Sequence, residues 1–469
     1  MPVDLLLKGG VVMTEGGLIP ANIAITGEQI VGITALSESP AARRVVDVAG
    51  LHLLPGLIDT HSHHREPGFT DKEDIITATR ACAAGGVTVS VAMPNVSPPP
   101  TTPEILRDMF ALYEKKAIVD YNVNAAGTVV EEIPRLAPLG ILAFKVFMVV
   151  DTGRSYPHMP GIGVHDHGKL MAIFEAVAKT GLPIMVHPHD QELMDHIEQG
   201  FWAKGERDFR AYAKAYSAND GVIWDTAVGM LLRLQQATGV RLHVLHLQTS
   251  LCAKMLRAAK DEGRPVTSEV NPWALWLGND WKNIERLGSY ALSYYVPPKQ
   301  AEATWQAVLD GTADVIATDH APHLKEEKEA GWTDGWKAHT GTPSTQYYLS
   351  LLLTDVLNGR IPLERAVELI STRPAKLFGL YPQKGAIRVG ADADIVAVDM
   401  AAENTITNES VLSKCGWTPF AGRKVRGIPV HTLLRGQFVF EKGEVVGQPG
   451  YGRLARPQSS TTGTTGNRS

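Results

Sequence analysis

The sequence predicts an α/β protein: a barrel of eight parallel strands wrapped by helices, the (β/α)8 or TIM-like fold, with a small β-sandwich formed by both chain ends. Three observations predict it. Apolar strand-like runs alternate with helix-patterned stretches across residues 56–380. Short β-type segments broken by Gly- and Asn-containing turns flank that region on both sides. Side chains suited to metal binding fall at the carboxyl ends of the strand-like runs, the face on which such barrels carry their sites.

The candidate barrel strands are 56–61, VTVSVAM (87–93), VDYNVNAA (119–126), ILAFKVFM (141–148), PIMVH (183–187), RLHVLHL (241–247), PVTSEV (265–270) and DVIAT (314–318). Between them lie KEDIITATRACAAGG, PEILRDMFALYEKKA, GKLMAIFEAVAKTG, DTAVGMLLRLQQATG and SLCAKMLRAAKDEG, several ending in the glycine expected just past a helix. Residues 3–54 read as hairpin-like strands, and the same texture returns at 386–399 and 430–446. Neither end has enough strands for a good sheet alone, so 1–55 and 381–450 are expected to build one sandwich around a barrel of 56–380. Residues 451–469, ending QSSTTGTTGNRS, are low in complexity and predicted to be a disordered tail.

Bulk properties narrow the function. A chain of 469 residues fits one large domain and a smaller one. A net charge of −5 leaves no basic footprint, which argues against nucleic acid as a partner. Three well-separated cysteines, Cys82, Cys252 and Cys415, make no disulfide framework and suit a reducing cytoplasm. The amino terminus lacks a signal-peptide pattern and no apolar run approaches a membrane span, so a soluble cytoplasmic protein with no membrane partner is expected.

The segment GLIDTHSHHREPG (56–68) carries the strongest chemical signal. His61 and His63 are two apart, so on an extended strand both point the same way, as a divalent metal in a barrel mouth requires. Among 16 histidines such a pair is as readily a surface or hydrogen-bonded pair, so the rest of a coordination sphere must come from other strands. Lys145 lies in AFKVF between apolar neighbours, where an unpaired ammonium is costly. It either reaches the rim or a carboxylate, or adds CO2 to become a carbamate whose two oxygens can bridge two cations. His187 ends the fifth candidate strand and His246 the sixth; each alone reads equally as a core histidine. Asp319 follows the eighth, where a lone Asp can cap the next helix. Together the six occupy one barrel rim.

With the late segments GAIRVGADADIVAVD and WTPFAGRKVRGIPVHTLLRGQFVF, this pattern resembles the cyclic amidohydrolases of the amidohydrolase superfamily along nearly the whole chain: dihydroorotase, allantoinase, and hydantoinase or dihydropyrimidinase. The resemblance implies two divalent metals, usually zinc. His61, His63 and Asp319 would hold one, His187 and His246 the other, with carboxylated Lys145 bridging. It implies a small cyclic amide, imide or ureide as substrate, opened at a C–N bond by a hydroxide lying between the metals. Asp319 would take the proton and deliver it to the leaving ring nitrogen. A homodimer or homotetramer is expected.

HSHHREPG is most similar to the first motif of dihydroorotases, where the arginine grips the substrate carboxylate, and Arg65 occupies that place. Asn95 in AMPNVSPP and His323 in TDHAPH match positions that hold the same carboxylate, so an anionic ring is the favoured substrate. The plainer alternatives are a rim salt bridge from Arg65 to Glu66 or Asp71, and a turn-forming role for Asn95. The rival function is an allantoinase or hydantoinase acting on an uncharged ring. Hydantoinases carry a tyrosine five residues past the carboxylated lysine; here that position is Val150, with Tyr156 in another register. Dihydroorotases differ too: Trp273 and Ala274 replace two histidines, Lys299 replaces an arginine, and GTPSTQ lacks a glutamate. Trp273 and Trp276 either pack the core or wall the pocket. The connection 151–168, with three histidines, reads as a lid over the mouth or as a further metal site. A non-catalytic scaffold of the same fold predicts missing ligands, yet all six are present.

Overall fold

Apolar alternation in the first fifty positions builds five strands: β1 (Val3–Thr14), β2 (Gly17–Thr26), β3 (Gln29–Thr34), β4 (Ala42–Asp47) and β5 (His52–Pro55). The computed structural model describes residues 2–149, 161–277, 281–291 and 298–458. β1 pairs with β2 along most of its length, while its other edge is divided: Val3–Lys8 runs parallel to β4, and Val11 and Val12 run parallel to β5. The register to β2 slips between Leu7 and Gly10. Gly9 sits in that bulge at φ +88°, a conformation that side chains with a Cβ rarely adopt.

The chain then enters the barrel through β6 (Leu57–Ser62), β7 (Val87–Ala92), β8 (Asp120–Val123), β9 (Ala125–Ala126), β10 (Phe144–Phe147), β11 (Pro183–His187), β12 (Arg241–Val244), β13 (Val266–Val270) and β14 (Val315–Ile316). Their pairings are all parallel. Every residue of β6 to β11 is buried, as strands covered on both faces require. β8 and β9 are one barrel strand interrupted at Asn124, pairing with β7 before it and β10 after it. The eight candidate strands are therefore the eight barrel strands; the fifth keeps its bounds, the first is shifted on by one residue, and the others are shortened or split. Between β14 and β6 a side chain replaces most of the ladder. Asp59 accepts from Thr318 N at 3.0 Å and from Thr318 Oγ1 at 2.6 Å, and His63 N donates to His320 O at 2.7 Å. DVIAT is assigned as strand only over Val315–Ile316; Ala317 N still donates to Val270 O at 3.2 Å, and Thr318 turns to the Asp59 carboxylate.

The five helix-patterned stretches form Ile75–Ala84, Pro103–Lys116, His167–Ala178, Val222–Thr238 and Ser250–Asp261. Asp74, Thr102, Asp166 and Thr249 cap the free N–H groups of four of these. Gln191–Trp202 and Phe209–Tyr216 are inserted after β11, and further short helices follow β13.

The late segments return as β15 (Ile395–Thr405), β16 (Lys424–Leu434), β17 (Gln437–Glu441) and β18 (Glu444–Val445). β15 lies antiparallel to β5 with Ile395 opposite Pro55, so both chain ends share one nine-stranded sheet. Leu5, Ile23, Ile25, Leu53, Ile395 and Leu433 fill its core. A buried ion cluster ties this sheet to the barrel. Lys384 Nζ lies 2.8 Å from Asp120 of β8, 3.0 Å from Asp392 and 2.7 Å from Asp394.

Residues 451–458 correct the expectation of a tail beginning at 451. Tyr121 N donates to Arg453 O at 3.0 Å, Ala455 N donates to Tyr121 O at 2.8 Å, and Asn122 Nδ2 donates to Ala455 O at 2.7 Å. A polar segment is ordered where its backbone groups find partners. Residues 459–469 lie outside the described residues, as do Val150, Tyr156 and the 151–160 part of the expected lid; His165 and His167 are exposed. No helix among the described residues is long and apolar enough to cross a membrane.

Candidate metal centre

His61 stands in β6, and His63 follows at the strand's end. Asp319 lies three residues beyond β14, where its φ of +45° turns the backbone into the left-handed region. This brings Asp319 Oδ1 to 3.2 Å from His61 Nε2 and 3.1 Å from His63 Nε2. On the other side the His187 and His246 rings lie 4.7 Å apart between centroids, and His246 is 5.1 Å from His61. β12 stops at Val244, short of the expected 247, and a φ of +58° at His246 directs its ring inward. The six expected metal residues are all buried.

Each of three imidazoles is held from behind. His63 Nδ1 meets Asn95 Oδ1 at 2.6 Å, His61 Nδ1 meets Glu269 Oε1 at 2.6 Å, and His246 Nδ1 meets Asn271 Oδ1 at 2.7 Å. The Asn271 amide is itself oriented, donating from Nδ2 to Glu269 Oε1 and to Ala317 O, both at 3.0 Å. An acceptor at Nδ1 puts the proton there and turns the Nε2 lone pair toward the centre, as metal-binding histidines require. Glu269 and Asn271 were missed as site residues. Their signal was present: an acid closing an otherwise strand-like run, with Asn two residues on, at a barrel strand's carboxyl end.

Electrostatics match a cation site. Burial lowers His63 to about 3, against the upward pull of Asp319, and lowers His246 to about 4, again against Asp319. Burial above all holds His187 well below its usual range. These three rings are neutral donors at pH 7. Burial alone would raise the Asp319 carboxyl, but His61, His63 and His246 outweigh it and keep Asp319 ionised. Trp273 Nε1 donates to Asp319 Oδ2 at 3.1 Å, leaving Oδ1 to the histidines. Trp273 packs in the core, as one of its two readings has it, and from there donates to a carboxylate.

Lys145 is 1% exposed and its Nζ has no hydrogen-bond partner among the described residues. Burial pushes it down to about 7, with Glu269 and Asp319 pulling back up. An amine without a hydrogen-bond partner beside neutral imidazoles and an ionised carboxylate is a donor set whose chemistry fits a metal centre.

Arg65, at φ +62°, turns back under the rim and is 1% exposed. Its Nε donates to Pro322 O at 3.2 Å and its Nη2 lies 3.0 Å from His323 Nε2. The alternative pairing with Glu66 does not form, because Glu66 pairs with Lys116 and accepts from Ile75 N at 3.1 Å. Arg65 and His323 are thus brought together as expected, whereas Asn95 faces His63. Elsewhere, His323, Glu327 and His339 form another potential metal trio. There Lys72 pairs with Glu327 and lies 3.3 Å from His339 Nδ1, so an ammonium already takes the cation's place.

A parallel barrel with converging histidines, a carboxylate and a buried lysine at its strand ends defines a metal-dependent barrel hydrolase. Residues 52–439 match the amidohydrolase family, and the chain belongs to it. It is 31% identical to an L-hydantoinase of Paenarthrobacter aurescens, covering 96% of this chain and 97% of that one. It is 33% identical to an allantoinase of Deinococcus radiodurans (98% and 100%) and 34% identical to a dihydroorotase of Lactobacillus leichmannii (93% and 98%). The solved structure of an L-hydantoinase (dihydropyrimidinase) from Arthrobacter aurescens superposes with a TM-score of 0.90 at 30% identity, covering 97% of this chain and 100% of that one. The chain is a cyclic amidohydrolase, with the barrel and β-sandwich of that group and candidate His/Asp metal sites at His61, His63 and Asp319 and at His61, His246 and Glu269.

Proposed function

We propose that the enzyme opens a ring bearing a carboxylate, in the manner of dihydroorotases. One observation carries this reading. Arg65 Nη1 is buried and has no hydrogen-bond partner among the described residues, and no carboxylate lies within ion-pair distance of the guanidinium there. Burial lowers Arg65 only to about 10, so it is charged at pH 7. A substrate carboxylate would supply both the missing charge and the missing acceptor, which planar guanidinium groups suit. His323 would border the same pocket. Asn95 would complete the pocket: its Oδ1 meets the His63 ring, which leaves its Nδ2 to donate to the same carboxylate.

His61, His63 and Asp319 would hold one zinc and His187 and His246 a second, with Lys145, carboxylated to a carbamate, as an anionic ligand. The neutral Lys145 amine adds to CO2 and releases one proton, replacing a costly buried ammonium with an anionic ligand. Bound metals would supply a nucleophile at neutral pH and polarise the scissile carbonyl. The chain's residues do the rest. Arg65 holds the carboxylate and so orients the ring. Asp319, its Oδ2 steadied by Trp273, takes a proton from the attacking water and passes it to the ring nitrogen as the C–N bond breaks. Oxygen ends on the carbonyl carbon and hydrogen on the nitrogen.

A second reading, hydrolysis of an uncharged ring, is favoured by the full-length likeness to a solved L-hydantoinase. A screen of the zinc-loaded enzyme against dihydroorotate, allantoin, hydantoins, dihydropyrimidines and cyclic imides separates the two. The anionic reading expects dihydroorotate or another carboxylated ring to lead, and Arg65→Ala to lose affinity for it. Equal kinetics of wild type and Arg65→Ala on every ring would sink the carboxylate anchor. The reading extends to a cytoplasmic homodimer or homotetramer, for which three buried, unpaired cysteines support a reducing compartment. Light scattering on the purified enzyme tests the assembly.

A further inference from the structure

Arg65 is not positioned by its own loop alone. Its Nη2 lies 3.0 Å from His323 Nε2, and the same nitrogen lies 3.0 Å from Thr340 O. These neighbours make opposite demands. The carbonyl needs an N–H, whereas the guanidinium, which only donates, needs a lone pair. A neutral imidazole cannot offer both at one nitrogen. His323 is kept neutral by burial and by the nearby charges of Arg65, Lys328 and Lys72, against the pull of Glu327. Its single proton must therefore choose a side.

Glu327 decides the choice. Its Oε2 lies 3.5 Å from His323 Nδ1, at ion-pair distance though outside hydrogen-bond geometry, and its negative charge favours a proton on that side of the ring. That leaves the Nε2 lone pair to Arg65. Glu327 is itself well anchored: Leu324 N donates to Oε2 at 2.9 Å, His339 Nδ1 lies 3.0 Å from Oε1, and Lys72 pairs with Oε1. His323 is fully buried, and Trp417 Nε1 donates to its backbone oxygen at 2.7 Å. We propose that Glu327 is a positioning residue that sets the tautomer of His323 and so holds the Arg65 guanidinium in place for an anionic ring. The inference rests on the anionic-ring reading for its consequence, but not for its geometry.

Two measurements on the zinc-loaded full-length enzyme test it. In 15N-histidine-labelled protein, with the signals assigned by loss in His323→Asn, His323 is expected to carry its proton on Nδ1. A proton on Nε2 overturns the proposal without any variant having to fold. The double substitution Lys72→Met with Glu327→Met removes both charges together, so no buried ammonium is stranded. KM for dihydroorotate is expected to rise by about 10-fold, with kcat and the kinetics on unsubstituted hydantoin kept within about twofold. If Arg65→Ala loses dihydroorotate affinity while the double variant keeps wild-type KM, Glu327 has no such role and the anionic reading stands. If Arg65→Ala changes nothing, the anionic reading fails, and the labelled spectrum still decides the tautomer.

Discussion

Glu269 Oε1 lies 2.6 Å from His61 Nδ1, and the same oxygen accepts from Asn271, whose own oxygen holds His246. One carboxylate oxygen on β13 therefore orients a histidine from each side of the centre. Its charge is secure: burial alone would raise the Glu269 carboxyl, but His61 and His243 hold it well below the usual range.

Glu269→Gln keeps the shape and removes the charge. The amide can meet His61 or Asn271 correctly, but not both with one atom of full negative charge. Zinc affinity is expected to fall by about 10- to 100-fold, read as metal retained after dialysis against a graded chelator. Unchanged retention would mean that the contact only packs the barrel floor.

Lys145 should react as a base of pKa about 7 rather than as an ordinary lysine of 10.5. The neutral amine is the form that adds CO2, and its share rises with pH through that value. Metal-free enzyme is thus expected to take up 13C-labelled CO2 far faster at pH 8 than at pH 6, seen as a carbamate carbon signal. Lys145→Met should show no such signal and should lose zinc. A signal of equal size in that variant would place the carbamate elsewhere.

Trp273→Phe removes the N–H that Asp319 Oδ2 accepts at 3.1 Å while keeping most of the packing. A donor to a carboxylate favours its ionised form, so losing it raises the carboxyl pKa. The acid limb of the kcat/KM profile is expected to move to higher pH and kcat to drop by about 10-fold. An unshifted limb with normal kcat would leave Trp273 a packing residue.

Lys384 tests stability apart from chemistry. Its ammonium joins Asp120, Asp392 and Asp394 at the amino end of β8, the end of the barrel away from the centre. Removing one member of a buried ion cluster leaves uncompensated charge, so Lys384→Met should cost about 3–5 kcal/mol in urea unfolding. Turnover of the protein that remains folded should be normal. A stability loss below 1 kcal/mol, on the order of an exposed pair, would show that water reaches the cluster.

Much of this was legible along the chain. The eight strand-like runs, the five patterned helices and the HxH motif all rest on local periodicity, and the six candidate metal residues lie in or just after barrel strands once the barrel is assumed. The limits of most strands were not legible. Asn124 splits the third, and past the eighth Thr318 turns to Asp59, because in both places the hydrogen-bond partner comes from elsewhere in the barrel. The order at 451–458 escaped notice for the same reason: its partners, Tyr121 and Asn122, lie some three hundred residues earlier.

The sequence by itself determined the barrel, the return of the late strands to the first sheet, and the set of side chains that can hold metal. Only the tertiary structure decided what holds those side chains. Asn95, read as a substrate contact, also supports His63, Trp273 donates to Asp319 from its place in the core, and Glu269, unremarked in its strand, supports His61. The physical reason is range. Periodicity and metal-ligand spacing are repeated along one segment, whereas a hydrogen bond of 2.6 Å between residues 208 positions apart leaves no local pattern.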